Sequence, residues 1–203
     1  MYLELRPNLP LVEVSSRAMW RAWLAAEHDS SQGVWAVTVK KAALQPGEVY
    51  VSAVDLNEEC LCFGWIDSRP AKIDERRTAL LCTPRKPGSG WSKVNKGRLD
   101  RLVEQGLVAP AGLAAIQRAK QDGSWSKLDA VDALDVPDDL RRALKSAAGA
   151  AEYFDRFPPS VRRGILEWIA SAKTVGTRAK RIAETAREAQ QNRRANQWPR
   201  GGK

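Results

Sequence analysis

Histidine is almost missing from this chain of 203 residues: there is one, His28, and cysteine is scarce, with three. A single imidazole leaves little for a Ser/His/Asp set, and no Walker loop, H-E-x-x-H motif or paired zinc motif occurs. Cys60, Cys62 and Cys82 show no C-x-x-C spacing, and with His28 they come from separate segments. They therefore read as free, buried thiols and not as zinc ligands. An odd cysteine count fits a reducing compartment. No apolar run approaches the ~20 residues of a spanning helix. Glu4, Arg6 and Glu13 interrupt the N-terminal stretch where a secretory signal needs an apolar core. These absences lead to the expectation of a cytoplasmic protein with no transmembrane segment, no metal and no cofactor, and with an oligomeric state the sequence leaves open.

What the chain does have is positive charge, unevenly spread. The formal net charge is +9, yet residues 69–101 alone contribute +7, residues 172–203 another +7, and the remainder −5. Segregated cations create a local field that favours anionic partners, either an anionic small molecule or nucleic acid.

Periodicity divides the chain into a mixed half and a helical half. Apolar residues around Pro7 and Pro10 suggest one or two short edge strands, including Tyr2, Leu3 and Leu5, because proline cannot donate to a central ladder. Ser15 or Ser16 caps a helix running to about His28, and Gly33–Lys40 is β-branched and reads as a strand. Residues 48–62 suit a helix, followed by strands over 63–68 and 72–82 joined by a turn at Ser68-Arg69-Pro70-Ala71. Beyond residue 90 the pattern is helical only. One helix starts near Trp91 and stops at Gly106, one runs from Pro110 to about Gln121, and others begin near Pro137, over 150–157 and over 160–173. A last helix is capped by Thr177 and reaches about Gln191. The expected fold is α+β: a small N-terminal mixed or antiparallel sheet with helices, then an all-helical C-terminal half. The expected organisation is an α+β domain over 1–106, a helical extension over 107–191 packed on it, and a disordered basic tail over 192–203.

Function concentrates in Thr83–Lys96. Pro84, Pro87, Gly88 and Gly90 shape a loop, and Ser89 or Ser92 caps the helix that follows. Unpaired amides at a helix start attract anions, and Arg85, Lys86, Lys93 and Lys96 add charge-assisted donors. Trp65 lies upstream of this segment and Trp91 within it, and indoles beside guanidinium groups can stack on a base. Asp67, Asp74 and Glu75 are the nearby carboxylates, and the surrounding cations should hold them ionised and ion-paired.

Glu59-Cys60-Leu61-Cys62-Phe63-Gly64-Trp65-Ile66-Asp67, Thr83-Pro84-Arg85, Ser89–Lys96, Trp168-Ile169, Ala172-Lys173 and Thr177–Ile182, in that order, resemble the YdeI/OmpD-associated family, also labelled bacteriocin-protection proteins. The resemblance spans about Ser16 to Ile182. It implies a small α+β protein tied by name to resistance against bacteriocins or other antimicrobial or envelope stress, and it brings no established catalytic residues.

The leading expectation is a non-enzymatic anion-binding protein whose ligand meets Trp65, Asp67, Arg85, Lys86, Ser89, Trp91, Ser92, Lys93 and Lys96. A second is nucleic-acid binding through Arg76, Arg77, Arg98, Arg101, Arg178, Lys180 and Arg181, along the two basic regions. A third is an enzyme using Asp67 or Asp74 with a metal.

Overall fold

A computed structural model of the protein describes residues 8–196. Its chain forms two compact units, Met1–Ser126 and Lys127–Lys203. The expected strand residues Tyr2, Leu3 and Leu5, and the tail cations Arg200 and Lys203, lie outside the described residues. Among the described residues no helix is long and apolar enough to cross a membrane.

The first unit is built on a four-stranded mixed sheet of order β1-β2-β4-β3. The strands are β1 (Leu11–Glu13), β2 (Val34–Val39), β3 (Trp65–Lys72) and β4 (Arg77–Pro84). β1 runs parallel to β2, and the other pairs are antiparallel. The β-branched run Val34–Val39 takes an inner position, where both faces are covered and near-continuous apolar sequence is tolerated. Its Val34 and Ala36 side joins the main core with Leu80 and Cys82, while Trp35 and Val37 on the other side cluster with Ala71, Ala79 and Leu81.

The expected turn at Ser68–Ala71 is a correction. Those residues lie inside β3, whose register against β4 shifts between Asp67 and Pro70. Pro70 is accepted there because β3 is an edge strand, and the bulge absorbs the missing donor. The hairpin closes instead at 73–76, where the Asp74 carboxylate accepts from the Arg76 and Arg77 amides, at 2.8 and 2.6 Å.

Four helices complete this unit. Helix α1 (Arg17–Glu27) is capped by Ser16, whose hydroxyl accepts from the Met19 amide, and it buries Trp20 and Leu24. Helix α2 (Ala53–Cys62) opens on a capping box between Ser52 and Asp55. It begins five residues later than the expected 48, because that box, and not the β-branched stretch before it, satisfies the first amides. Helix α3 (Lys93–Glu104) is capped by Ser92, and helix α4 (Pro110–Gln121) starts on its proline. Gly112 of α4 lies so close to the end of α2 that an added Cβ would stand 2.3 Å from the Cys62 carbonyl oxygen. The Ala109 amide also donates to that oxygen, at 3.0 Å. These contacts bring α4 into the first unit, which extends to Ser126, beyond the boundary expected at 106.

The second unit is entirely helical: α5 (Asp129–Asp132), α6 (Asp138–Ser146), α7 (Ala150–Arg156), α8 (Pro159–Ala170) and α9 (Val175–Gln190). Leu140, Leu144, Phe154, Ile165, Ile169 and Ile182 form its core. α9 is capped by Thr174, whose hydroxyl accepts from the Thr177 amide, so Thr177 sits inside the first turn and not at the cap. Residues 192–196 of the expected disordered tail are placed against the unit, and the rest of it lies outside the described residues. Ala195 is 2% exposed, and the Arg193 guanidinium bonds the Glu188 carboxylate at 2.7 Å.

Candidate functional site

Arg85 follows β4 directly, and its amide donates to the Gly64 carbonyl at 3.0 Å, tying the loop to the turn after α2. From there its guanidinium folds onto the Trp91 ring, with Cζ 3.7 Å from the centroid. Nη1 donates to the carbonyls of Gly90 (3.0 Å) and Ser89 (3.4 Å). Nε is buried and meets no acceptor among the described residues. Burial pulls this guanidinium down to a pKa of about 10, and the charge of Asp67 opposes the shift.

The loop is fixed from the other side by α4. The Gly88 amide donates to the Asp122 carboxylate at 3.1 Å, and the second oxygen of Asp122 accepts from the Ser124 amide at 2.8 Å. Arg85, Lys86, Ser89, Trp91, Arg118 and Asp122 surround a cavity of about 20 Å³, room for one water molecule. Beside it an open groove of about 540 Å³ is walled by Gln32, Ser68, Thr83, Arg85 and Lys86, with Leu81, Pro84 and Pro87. Its polar side chains are two cations, two hydroxyls and an amide, and it has no carboxylate.

The structure thus gathers Arg85, Lys86, Ser89 and Trp91 around one spot, and separates other expected members from it. Trp65 and Trp91 are each 1% exposed, so neither offers a ring face to a base. Trp65 donates its indole N–H to the His28 carbonyl and packs edge-on against Trp23, as a core residue does. Ser92, Lys93 and Lys96 line neither the cavity nor the groove. Ser92 caps α3, Lys93 is exposed, and Lys96 leans over the Trp125 ring at 5.3 Å. Asp67 accepts from Asn57 at 2.5 Å, and Asn57 in turn accepts from Arg98. Arg118, Asp122, Gln32 and Ser68 went unforeseen as site residues, because they come from other elements, whereas Thr83 opens the segment that the sequence singles out.

Six of the seven cations assigned to a nucleic-acid track are engaged within the protein. Arg76 pairs with Glu48, Arg77 with Asp74 and Glu13, and Arg101 with Glu58. Arg98 donates to Asn57, Arg178 grips Asp139 at 2.7 and 2.9 Å, and Arg181 stacks on Trp168. Lys180 is exposed. Asp74 is held at a pKa of about 2 by the Arg77 guanidinium and the turn amides, well below the range of a working base. Among the described residues no cluster of three His, Cys, Asp or Glu side chains stands ready for a metal ion. All three cysteines are buried and free.

A second polar constellation was not foreseen as a cluster, although Glu59 opens one of the motifs that carry the resemblance. Glu58 and Glu59 of α2 are 7% and 2% exposed. Arg17 reaches Glu59 at 2.6 Å and Glu58 at 2.9 Å, Arg21 reaches Glu59 at 2.8 Å, and Arg101 reaches Glu58 at 2.8 Å. The network clamps α1, α2 and α3 together, and each buried carboxylate has two guanidinium partners.

Among protein families, the one described as a domain of unknown function, DUF8412, matches residues 12–115. The family described as Bacteriocin-protection, YdeI or OmpD-Associated matches residues 133–192. The resemblance read from the sequence is thereby found in the C-terminal part, while the segment carrying Arg85 and Trp91 falls within the other match. No curated protein matches the chain. No solved structure matches it either.

Proposed function

We propose that this chain, which belongs to the DUF8412 family and carries a YdeI/OmpD-associated segment at 133–192, is a non-enzymatic binding protein for small oxyanions or for a phosphate or carboxylate group of a larger metabolite. One observation carries the reading: the groove at Arg85 and Lys86 contains five donor-bearing polar side chains and no carboxylate. Arg85 is costly to keep charged there, yet it is held in place by Trp91 and two carbonyls. An incoming anion adds to the partial compensation that Asp67 supplies. The buried indoles support a small ligand over a stacked base, since neither Trp65 nor Trp91 offers a ring face at this groove.

The engaged arginines favour this reading over nucleic-acid binding, which needs many cations free to track phosphates. We take the setting to be cytoplasmic, and the physiological role to be the bacteriocin protection that the second family's description names.

Thermal-shift titration with phosphate, pyrophosphate and nucleotides tests the binding. The expected result is a midpoint that rises with ligand concentration in the wild type and stays flat in Arg85→Ala and in a Lys86→Ala/Arg85→Ala double variant. Identical flat responses in all three proteins overturn the proposal.

A further inference from the structure

We infer that the first unit holds a second binding site, for a small amphipathic monocarboxylate, in the groove between Lys41, Tyr50 and the lower end of the sheet. The groove measures about 260 Å³, and Val39, Leu56 and Leu80 supply its apolar walls. Thr38 and Thr78 stand opposite each other in register on neighbouring strands, and the Thr78 hydroxyl already donates to the Ala71 carbonyl at 3.0 Å, which leaves its oxygen as an acceptor. Mostly apolar walls with a few polar groups converging at one side describe an organic ligand site and not an inorganic one.

Charge settles the polar end of the ligand. No carboxylate lines this groove, and its two cations have different duties. Lys40 is spent on the hairpin, donating to the carbonyls of Asp74 (2.7 Å) and Glu75 (3.0 Å). Lys41 is exposed and lies 5.9 Å over the Tyr50 ring, at the mouth. An ammonium above an apolar cleft suits an acid whose body is buried and whose carboxylate stays at the rim.

The wall is also preformed. The loop over 41–51 is tied to the β3–β4 hairpin by Arg76, whose Nε donates to the Ala43 carbonyl at 3.3 Å and whose Nη2 pairs with Glu48. Glu48 in turn accepts from the Gln45 amide at 2.9 Å. Arg76, a cation the sequence offers to nucleic acid, is here the brace of a cleft, and a braced cleft loses less entropy on binding.

Fluorine NMR with para-fluorophenylacetate as the probe, and para-fluorophenethyl alcohol as its neutral counterpart, tests the site. The acid should bind the wild type and Arg85→Ala equally, which separates this groove from the one at Arg85. It should bind Lys41→Gln about tenfold more weakly, the loss expected for one charge-assisted bond. Ala53→Trp, at an exposed position lining the groove, should abolish binding while leaving circular dichroism unchanged. Absence of binding to the wild type, full binding to Ala53→Trp, equal affinity for the alcohol, or loss in Arg85→Ala each overturns the inference.

Discussion

The Arg85 guanidinium lies over the Trp91 ring at 3.7 Å and donates to the backbone of the very loop that separates the two residues. Arginine thus serves as lid and hinge pin of a five-residue loop, while burial lowers its pKa to about 10. Replacing it by an apolar side chain of similar length removes the cost of a poorly compensated charge. Arg85→Met should therefore leave stability unchanged or raise it by roughly 1 kcal/mol, measured by urea denaturation, while it erases the response to phosphate. A loss above about 2 kcal/mol would instead make Arg85 a structural brace and weaken the binding proposal.

Glu59 is 2% exposed and meets Arg17 and Arg21. Glu59→Ala removes one acceptor from each, although Arg17 keeps Glu58 at 2.9 Å and Arg21 keeps the Leu107 carbonyl at 2.7 Å, and about a third of each arginine side chain is exposed and can turn to water. A destabilisation of about 2–3 kcal/mol is expected, below the full cost of stranding a wholly buried charge. Equilibrium unfolding in guanidinium chloride measures it, and a change under about 0.5 kcal/mol would reduce the network to surface ornament.

Gly112 allows α4 to touch the end of α2. A methyl there meets the Cys62 carbonyl at 2.3 Å and the Val108 side chain at 2.8 Å, and backbone cannot step aside as a flexible side chain does. Gly112→Ala should lower stability by roughly 2–3 kcal/mol, despite alanine's better helix propensity. Gly97 of α3, which has nothing within 4 Å of such a methyl, is the control. Gly97→Ala should be neutral or stabilising by up to about 1 kcal/mol, as read from thermal midpoints.

Asp74 titrates near 2 in the folded chain, against 3.8 for the free group, because the Arg77 guanidinium and the two turn amides favour its charged form. The folded value is the lower one, so its contribution is present above about pH 3.8 and is lost as pH falls toward about 2. The acid limb of a stability–pH profile should therefore be shallower in Asp74→Ala than in wild type across that window. Parallel limbs would show that the turn does not depend on this carboxylate.

Several of these features are plain in the linear chain. Serine before an apolar-periodic run narrows two caps to Ser15 or Ser16 and to Ser89 or Ser92, of which Ser16 and Ser92 serve, Pro110 marks a helix start, and Gly106 marks a helix end with φ of +66°. Such signals are local, and the interactions that satisfy a helix end come from within a turn of it. Pro70 shows where local reading fails. Proline marks a turn or an edge strand equally well, and only the strand order decides between them.

Charge shows the same division more sharply. By itself the sequence determined the α+β class, the presence of most helices, the buried thiols and the family resemblance, since periodicity and motifs act over a few residues. It also showed the excess of cations over 69–101. Only the tertiary structure brought Glu13, Glu48 and Glu58 onto those cations from elsewhere in the chain, leaving Arg85 and Lys86 beside a groove without acids. Which charges are cancelled depends on distances between segments tens of residues apart, and those distances exist only once the sheet and its helices have packed.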